Sequence, residues 1–388
     1  MLLTLGRILF TLALLASASL AQSVAGLGGI TGTVSDATGA RIPDAEVVVS
    51  NAERGVSRKL TTNNAGIFTA GSLVPASDYQ VSISKTGFGR TEAKNITIQV
   101  GQVIDIQFAL SVSTAATSVD VTTEVPVVDS AKTGVSQVVD AEQILNLPIN
   151  GRRVDTFVLL TPGVTNDGTF GGISFRGIPG GNAFLQDGND TTNQYYNENG
   201  GRTRISSNLS QDTVQEFQVI TGGSAEFGRA SGGVVNTVTK SGGNSTHGTA
   251  YWFFRNQNFN ARDRYAAFRT DERRDQFGGS IGGPIKKDKL FYFFNTEITR
   301  RDFPLLSSHT FQPLFSSNGV YNAVCTASTA QCANAKRFID RFNQVVPRTA
   351  NQELFFLKTD YRGTTWLKRS IKRLAFAHCA VEAVQTAL

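Results

Sequence analysis

Lys289–Thr299 reads KLFYFFNTEIT. Side chains of a strand alternate between its two faces. Leu290, Tyr292, Phe294 and Ile298 therefore fall on one side, and Asn295, Glu297 and Thr299 on the other. Just upstream, Phe277, Ile281 and Ile285 share a face with small residues opposite them. Further on, in Glu353–Tyr361, Phe355, Leu357 and Tyr361 oppose Lys358 and Asp360. Segments of about ten residues, aromatic and apolar outward and polar inward, suit the wall of a membrane β-barrel. Periodicity alone fits a half-buried strand of a soluble sheet equally well. In water such strands are expected to expose Phe291, Tyr292, Phe293 and Phe294 as an aggregation-prone aromatic edge.

Working outward, the 388 residues leave room for two or three domains at about 100–200 residues each. Gly (38) and Phe (26) are frequent, Met occurs once, and only 18% of residues are charged. That mixture favours turns and strands. The net charge of +6 is spread without any run of five Lys or Arg, so nucleic-acid binding is not expected. Cys325, Cys332 and Cys379 form no C-x-x-C pair. Cys325 and Cys332 are a candidate loop disulfide in an oxidising compartment, the alternative being two free thiols.

Residues 1–21, MLLTLGRILFTLALLASASLA, place Arg7 before the apolar run Ile8–Leu15 and end on small residues. This is the pattern of a secretory signal peptide, with cleavage expected before Gln22. The run is too short for the roughly 20 residues of a membrane-spanning helix. Nor does any later stretch reach 18 apolar residues, so integration into a membrane would need a β-barrel.

Residues 28–111 alternate with period two. Asp78–Ser84, Ile96–Val100 and Ile104–Phe108 each carry apolar residues at every second place. Turn signals at Asp36–Gly39, Asn63–Gly66 and Thr86-Gly87 separate them, which predicts an antiparallel β-sandwich of about seven short strands. Phe68 and Tyr79 are expected in its core, which leaves no exposed aromatic platform for a sugar. The phrases GITGTVSDATGARIPDAEVVV and TTNNAGIFTAGSLVPASDYQVSISKTGF resemble the carboxypeptidase regulatory-like domain of the carbohydrate-binding-like group. Such a module serves either as a spacer without ligand or as a carbohydrate-binding piece.

Residues 112–246 open with a Ser/Thr/Ala-rich linker, Ser111–Ser118. Asp140 is an expected N-cap for a short helix over Ala141–Leu145, ended by Pro148, and Arg152–Leu160 is read as a second short helix. Several phrases resemble the plug of TonB-dependent outer-membrane receptors, in particular the Oar-like group that carries the sandwich in front. They include Asn150-Gly151-Arg152, Phe175-Arg176-Gly177, Asp187-Gly188, Glu216-Phe217 and Glu226-Phe227-Gly228-Arg229. Gly232-Gly233-Val234-Val235-Asn236, continuing to Lys240, is the strongest. The commoner Leu-Asp-Gly is replaced here by Leu185-Gln186-Asp187-Gly188. A plug must fit a polar lumen. Glu216, Glu226 and Arg229 are therefore expected either to pair with charges on the wall or to sit on the plug's solvated surface. Ser118–Glu124 is the candidate contact strand for TonB, or else simply the first strand of the plug.

Residues 247–361 are expected to be the first strands of that barrel, since HGTAYWFFRNQNFNARD and QFGGSIGGPIKKDKLFYFFNTEITRRD resemble the opening strands of Oar-like receptors. Barrels of this type have about 22 strands of about ten residues, more than the rest of the chain holds. The segment 362–388 loses the period-two pattern and reads as a basic amphipathic helix, as a shifted frame or truncated gene would give. The expected fold class is mainly β: an antiparallel sandwich, an α+β plug and an incomplete transmembrane barrel.

No catalytic, cofactor or metal site is expected. Gly278-Gly279-Ser280-Ile281-Gly282 matches G-x-S-x-G, but Pro284 and a strand follow it where a nucleophile elbow needs a helix. Asp187, Asp190 and Asp212 lack EF-hand spacing for calcium. The resemblance implies an exported outer-membrane receptor with a periplasmic N-terminal domain. Its partners would be outer-membrane lipid, TonB, and an unknown extracellular ligand such as a glycan or peptide. The alternative is a non-transporting protein of the envelope that binds carbohydrate or protein.

Overall fold

The computed structural model describes residues 26–112, 120–121, 136–149, 152, 154–166, 173–179, 181–193, 198–199, 209–221, 227, 230–261, 271–303, 305–306, 328–342, 345–346 and 348–362. The signal-peptide reading of 1–21 and the tail from 363 onward lie outside them. The described residues up to 249, with 280–295 and 356–362, form one compact unit; 250–279 and 296–355 form a second.

Seven strands build the sandwich: β1 (Gly28–Asp36), β2 (Glu46–Asn51), β3 (Val56–Thr61), β4 (Ile67–Leu73), β5 (Ala76–Ser84), β6 (Thr91–Ile98) and β7 (Val103–Leu110). They pack as one sheet of order β4-β1-β7 and a second containing β3-β2-β5-β6. The alternation read from the sequence is the cause. Along β7, Ile104, Ile106, Phe108 and Leu110 are buried, while the residues between them are exposed. They join Ile30, Val47, Phe68, Tyr79 and Val81 in one apolar core. Tyr79 is completely buried, and its hydroxyl donates to the Val74 carbonyl at 2.8 Å. The sandwich is not wholly antiparallel, because β1 and β7 pair in parallel over eight residues from Gly29↔Val103 to Asp36↔Leu110. Period-two patterning fixes which face is buried but says nothing about strand direction.

A short strand, β8 (Asp120–Val121), lies at the outer edge of the second sheet, parallel to β6 with Glu92 opposite Asp120. This part of the candidate TonB strand thus extends the sandwich sheet; it is not the first strand of the plug sheet.

The segment expected to be a plug begins with β9 (Ser136–Val139) and the helix Ala141–Asn146. That helix is closed by a capping box, in which the Asp140 carboxylate accepts from the Gln143 amide at 2.8 Å and the Gln143 side chain accepts from the Asp140 amide. Val154–Leu160 forms a 3₁₀ helix where an α-helix over Arg152–Leu160 was expected; Thr161 donates back to the Val158 carbonyl, three residues away. Next come β10 (Val164–Asn166), β11 (Ile173–Phe175), β12 (Ile178–Pro179), β13 (Ala183–Gln186), β14 (Asn189–Asp190), β15 (Thr192–Asn193) and β16 (Glu198–Asn199). The last strands of this segment are β17 (Val214–Thr221) and β18 (Gly233–Thr239), at the centre of a sheet of order β14-β13-β18-β17-β9. Every residue of β18 is buried.

Four long strands follow: β19 (His247–Asn256), β20 (Arg273–Lys286), β21 (Leu290–Asp302) and, after the small pair β22 (Leu305–Leu306) and β23 (Val345–Val346), β24 (Thr349–Tyr361). Their sheet order is β19-β20-β21-β24. The helix Thr329–Phe342 lies between β22 and β23 in the chain and was not anticipated from the sequence. Cys332 falls within that helix, whereas Cys325 and Cys379 lie outside the described residues, so the proposed disulfide does too.

The strands are two-faced as expected. On β20, Phe277, Ile281 and Ile285 are exposed; on β24, Phe355, Leu357 and Tyr361 are. On β21, Phe291, Phe293, Asn295, Glu297 and Thr299 are all buried on one face. The expectation of four exposed aromatics in a row is therefore corrected. Only Tyr292 and Phe294 lie on the outer face, while Phe291 and Phe293 are 1% exposed. The G-x-S-x-G match sits inside β20 with no elbow.

Candidate functional site

Two of the phrases that resemble a receptor plug are hairpin turns. Phe175 pairs with Ile178 and Gln186 with Asn189, leaving two-residue connections Arg176-Gly177 and Asp187-Gly188. All four turn residues have positive φ: 51° and 76° in the first, 49° and 83° in the second. A type I′ turn demands this, and Asp-Gly is among the pairs that accept it most readily. Arg176 spends its guanidinium on the Thr221 carbonyl at 2.6 Å.

The Asp187 turn reaches further. One carboxylate oxygen accepts from the Thr239 amide at 2.8 Å, and the other accepts from the Thr239 hydroxyl at 2.5 Å. Lys358 of β24 places its ammonium 3.4 Å from Asp187 and donates to the Thr239 hydroxyl at 3.0 Å. A motif turn, the end of β18 and a long strand thus meet in one nearly buried ion pair. A second polar group lies around Asp212, where Arg152 approaches one oxygen at 3.3 Å and the Thr249 hydroxyl donates to the other at 3.1 Å. Next to it the Thr213 hydroxyl donates to Asn295 of β21 at 3.1 Å. Burial pulls the Lys240 ammonium below its usual range, opposed by the charge of Asp212.

The remaining motif residues serve packing. Phe217 is buried against Phe157, with ring centroids 6.3 Å apart. Gly232 donates its amide to the Gly181 carbonyl, and a Cβ on Gly233 would lie 2.5 Å from the Phe175 ring. The Asn236 side chain is completely buried, and neither of its amide atoms has a hydrogen-bond partner among the described residues. Leaving such a group unpaired costs about 1–3 kcal/mol. Asn150, Gly151, Glu226, Gly228 and Arg229 lie outside the described residues. Asp187 and Asp212 each have a cationic neighbour, and Asp190 accepts from the Thr192 amide.

Glu216 requires a correction. It neither faces the barrel strands nor lies on a solvated surface. It is 5% exposed, and its carboxylate accepts from the amide of Val100, in the turn between β6 and β7 of the sandwich, at 2.8 Å. Burial raises its pKa to about 7; the Val100 hydrogen bond opposes the rise, and the charge of Asp140 adds to it.

In the second unit, the polar face of the strands carries its own network. Glu297 accepts from the Tyr251 hydroxyl at 2.6 Å and from Gln276 at 2.7 Å. Glu272 bridges Arg255 and Arg301, at 3.4 and 3.1 Å. Arg301 and Arg348 both lie over the Phe303 ring, 4.4 and 4.6 Å from its centroid.

Residues 238–358 match the outer membrane β-barrel domain, and residues 29–111 match the carboxypeptidase regulatory-like domain. Over 297 residues the chain is 30% identical to the TonB-dependent transporter Oar of Myxococcus xanthus. The chain is thus similar to a TonB-dependent outer-membrane transporter. The match to Oar covers 71% of this chain but only 27% of Oar itself. Among solved structures, the siderophore receptor PirA of Acinetobacter baumannii aligns at 16% identity and a TM-score of 0.36, over 61% of this chain and 39% of PirA. The ferric yersiniabactin uptake receptor FyuA of Yersinia pestis aligns at 15% identity and 0.34, over 59% and 29%.

Proposed function

We propose that the chain supplies the sandwich, the plug and the first wall strands of an outer-membrane receptor that takes up or senses an extracellular ligand, driven by TonB. The kinship with the Oar transporter carries this reading, and the two-faced strands support it. Along β20 the exposed apolar residues run from Ile285 to Phe277 and then give way to Asp275 and Arg273. Along β21 the same face carries half-buried Leu290, Tyr292 and Ile298 and exposed Phe294 before Arg300. Eight steps of about 3.4 Å, tilted by about 40°, span about 20 Å, close to the ~25 Å apolar band of an outer-membrane barrel. In lipid the outer edges of β19 and β24 must be paired by further strands, because an open sheet cannot span.

The sandwich is read as periplasmic and as a spacer, since Phe68, Tyr79 and Phe108 are buried and Phe88 is half-buried. On the polar face of the strands, Arg255, Arg274 and Arg301 stand against Glu272 and Glu297, an excess of positive charge that favours an anionic ligand.

Ser118–Glu124 is the proposed TonB contact. Cysteines placed at Asp120 and Val121 are expected to cross-link to TonB bearing a matching cysteine in intact cells, more strongly when ligand is present. If no adduct forms at any position from 118 to 124, this contact is wrong.

A further inference from the structure

Besides the β6–β8 pairing, two loops of the carboxypeptidase regulatory-like domain hold other parts of its compact unit, and both contacts are built rather than incidental. At the first, the β6–β7 turn presents the Val100 amide to the buried Glu216 carboxyl. Gly101, with φ of 66°, packs so tightly on the Gln218 side chain that a Cβ there would overlap it. At the second, the β2–β3 turn grips the segment that leaves the plug. Arg54 donates to the carbonyls of Ser241 and Gly242 at 3.0 and 3.2 Å. Glu53 accepts from the amide and hydroxyl of Ser245 at 3.0 and 2.7 Å. Asn244 donates to the Ala52 carbonyl and to the carboxylate of Asp288, in the β20–β21 turn, both at 2.7 Å. One sandwich thus holds the middle of β17, the plug's exit and the first hairpin of long strands.

We propose that the sandwich is a releasable clasp on the plug, in which burial of Glu216 beneath the Val100–Gly101 turn favours the protonated carboxyl and ionisation of Glu216 weakens the seating of the turn. The inference concerns how the domains are held and does not depend on the ligand or on the TonB contact.

The groups around Glu216 support it. The turn above it, Gln99–Gln102, carries no ionisable side chain, and Val238 of β18 is its partner in the sheet. On the β9 side the charge that acts on it is Asp140, of like sign. An opposite charge that would hold the carboxylate ionised is not among its causes of shift. The seated carboxyl has its pKa raised to about 7 from an ordinary value of 4.5, so seating is fully favourable below the ordinary value and weakens as pH rises to 7. For those two values the seating constant falls about tenfold between pH 6 and pH 8.

The test uses hydrogen exchange on the full chain, with protection factors corrected for the intrinsic dependence of exchange on pH. Protection of the Val100 amide should fall about tenfold from pH 6 to pH 8, while core amides of the sandwich such as Val47 and Ile83 keep theirs. In Glu216→Gln the Val100 protection should become independent of pH over that range. Three results would overturn the proposal: flat Val100 protection in the unaltered chain, an unchanged pH dependence in Glu216→Gln, or loss of protection at Val47 and Ile83 together with Val100. The last would mean that the sandwich unfolds instead of releasing. Glu53→Ala with Arg54→Ala serves as a second variant, expected to lower Ser245 protection at least fivefold at pH 6 with Val47 unaffected; unchanged Ser245 protection would remove the second grip.

Discussion

Tyr79→Asp is expected to unfold the sandwich. Tyr79 is completely buried in a core that includes Val47, Phe68, Val81 and Ile83, and its hydroxyl is satisfied by the Val74 carbonyl. Removing a buried aromatic costs about 3–5 kcal/mol through lost contacts and the cavity left behind. The new carboxylate adds several kcal/mol more, because it must either stay charged in an apolar site or take up a proton. At roughly 0.05–0.15 kcal/mol per residue, a domain of this size has little more than that to lose. Circular dichroism should show a cooperative melt for residues 26–112 and none for the variant. Tyr79→Phe separates the two contributions, since it keeps the ring and gives up only one hydrogen bond, about 1 kcal/mol. A folded Tyr79→Asp domain would mean that the packing described for β5 is wrong.

Gly242→Ala should release the segment that follows β18. A Cβ at Gly242 would overlap the Tyr292 carbonyl oxygen and lie 2.8 Å from the Gly283 carbonyl oxygen. Both obstacles are backbone atoms of paired strands, so neither can rotate aside as a side chain would. Overpacking of this kind costs about 1–3 kcal/mol, which corresponds to roughly five- to 150-fold in an opening equilibrium. The nearby half-buried Lys240 offers a direct readout, because trypsin cuts after lysine only where the backbone can open. Cleavage after Lys240 should accelerate by that factor in the variant, while cleavage at the exposed Lys59 stays unchanged. Equal rates at Lys240 in both proteins would show that this segment is not packed against β20 and β21 as described.

Much of this architecture was legible in the residues because its causes are local. The alternation of Ile104, Ile106 and Phe108 sets the buried face of β7, and Asp140 with Gln143 sets the start of its helix. Asp187-Gly188 predisposes a tight turn through the backbone conformations it accepts. What the sequence concealed depends on partners far along the chain. Glu216 finds Val100 across 116 positions, from a strand that is buried on both faces and shifts register between Val214 and Glu216. Alternation therefore gives no direction for its side chain. The parallel β1–β7 pair is hidden for a related reason, since burial patterns carry no sense of strand direction. The helix Thr329–Phe342 was overlooked because its sequence is polar on most sides, and the described side chains along it are exposed. The Lys358–Asp187 pair joins residues 171 apart, and neither phrase names the other.

On the proposed function, these long strands form the wall of an outer-membrane barrel with one face in lipid. Nitroxide scanning of β21 in the native outer membrane tests it most directly, with single cysteines placed in turn from Leu290 to Ile298 and Cys325, Cys332 and Cys379 replaced by serine. Collision with oxygen, which concentrates in lipid, should peak at Leu290, Tyr292, Phe294 and Ile298 and drop at Phe291, Phe293, Asn295 and Glu297. A water-soluble nickel chelate should reach none of the peak positions. A profile without the period of two, or free access of the chelate to Phe294, would contradict the account.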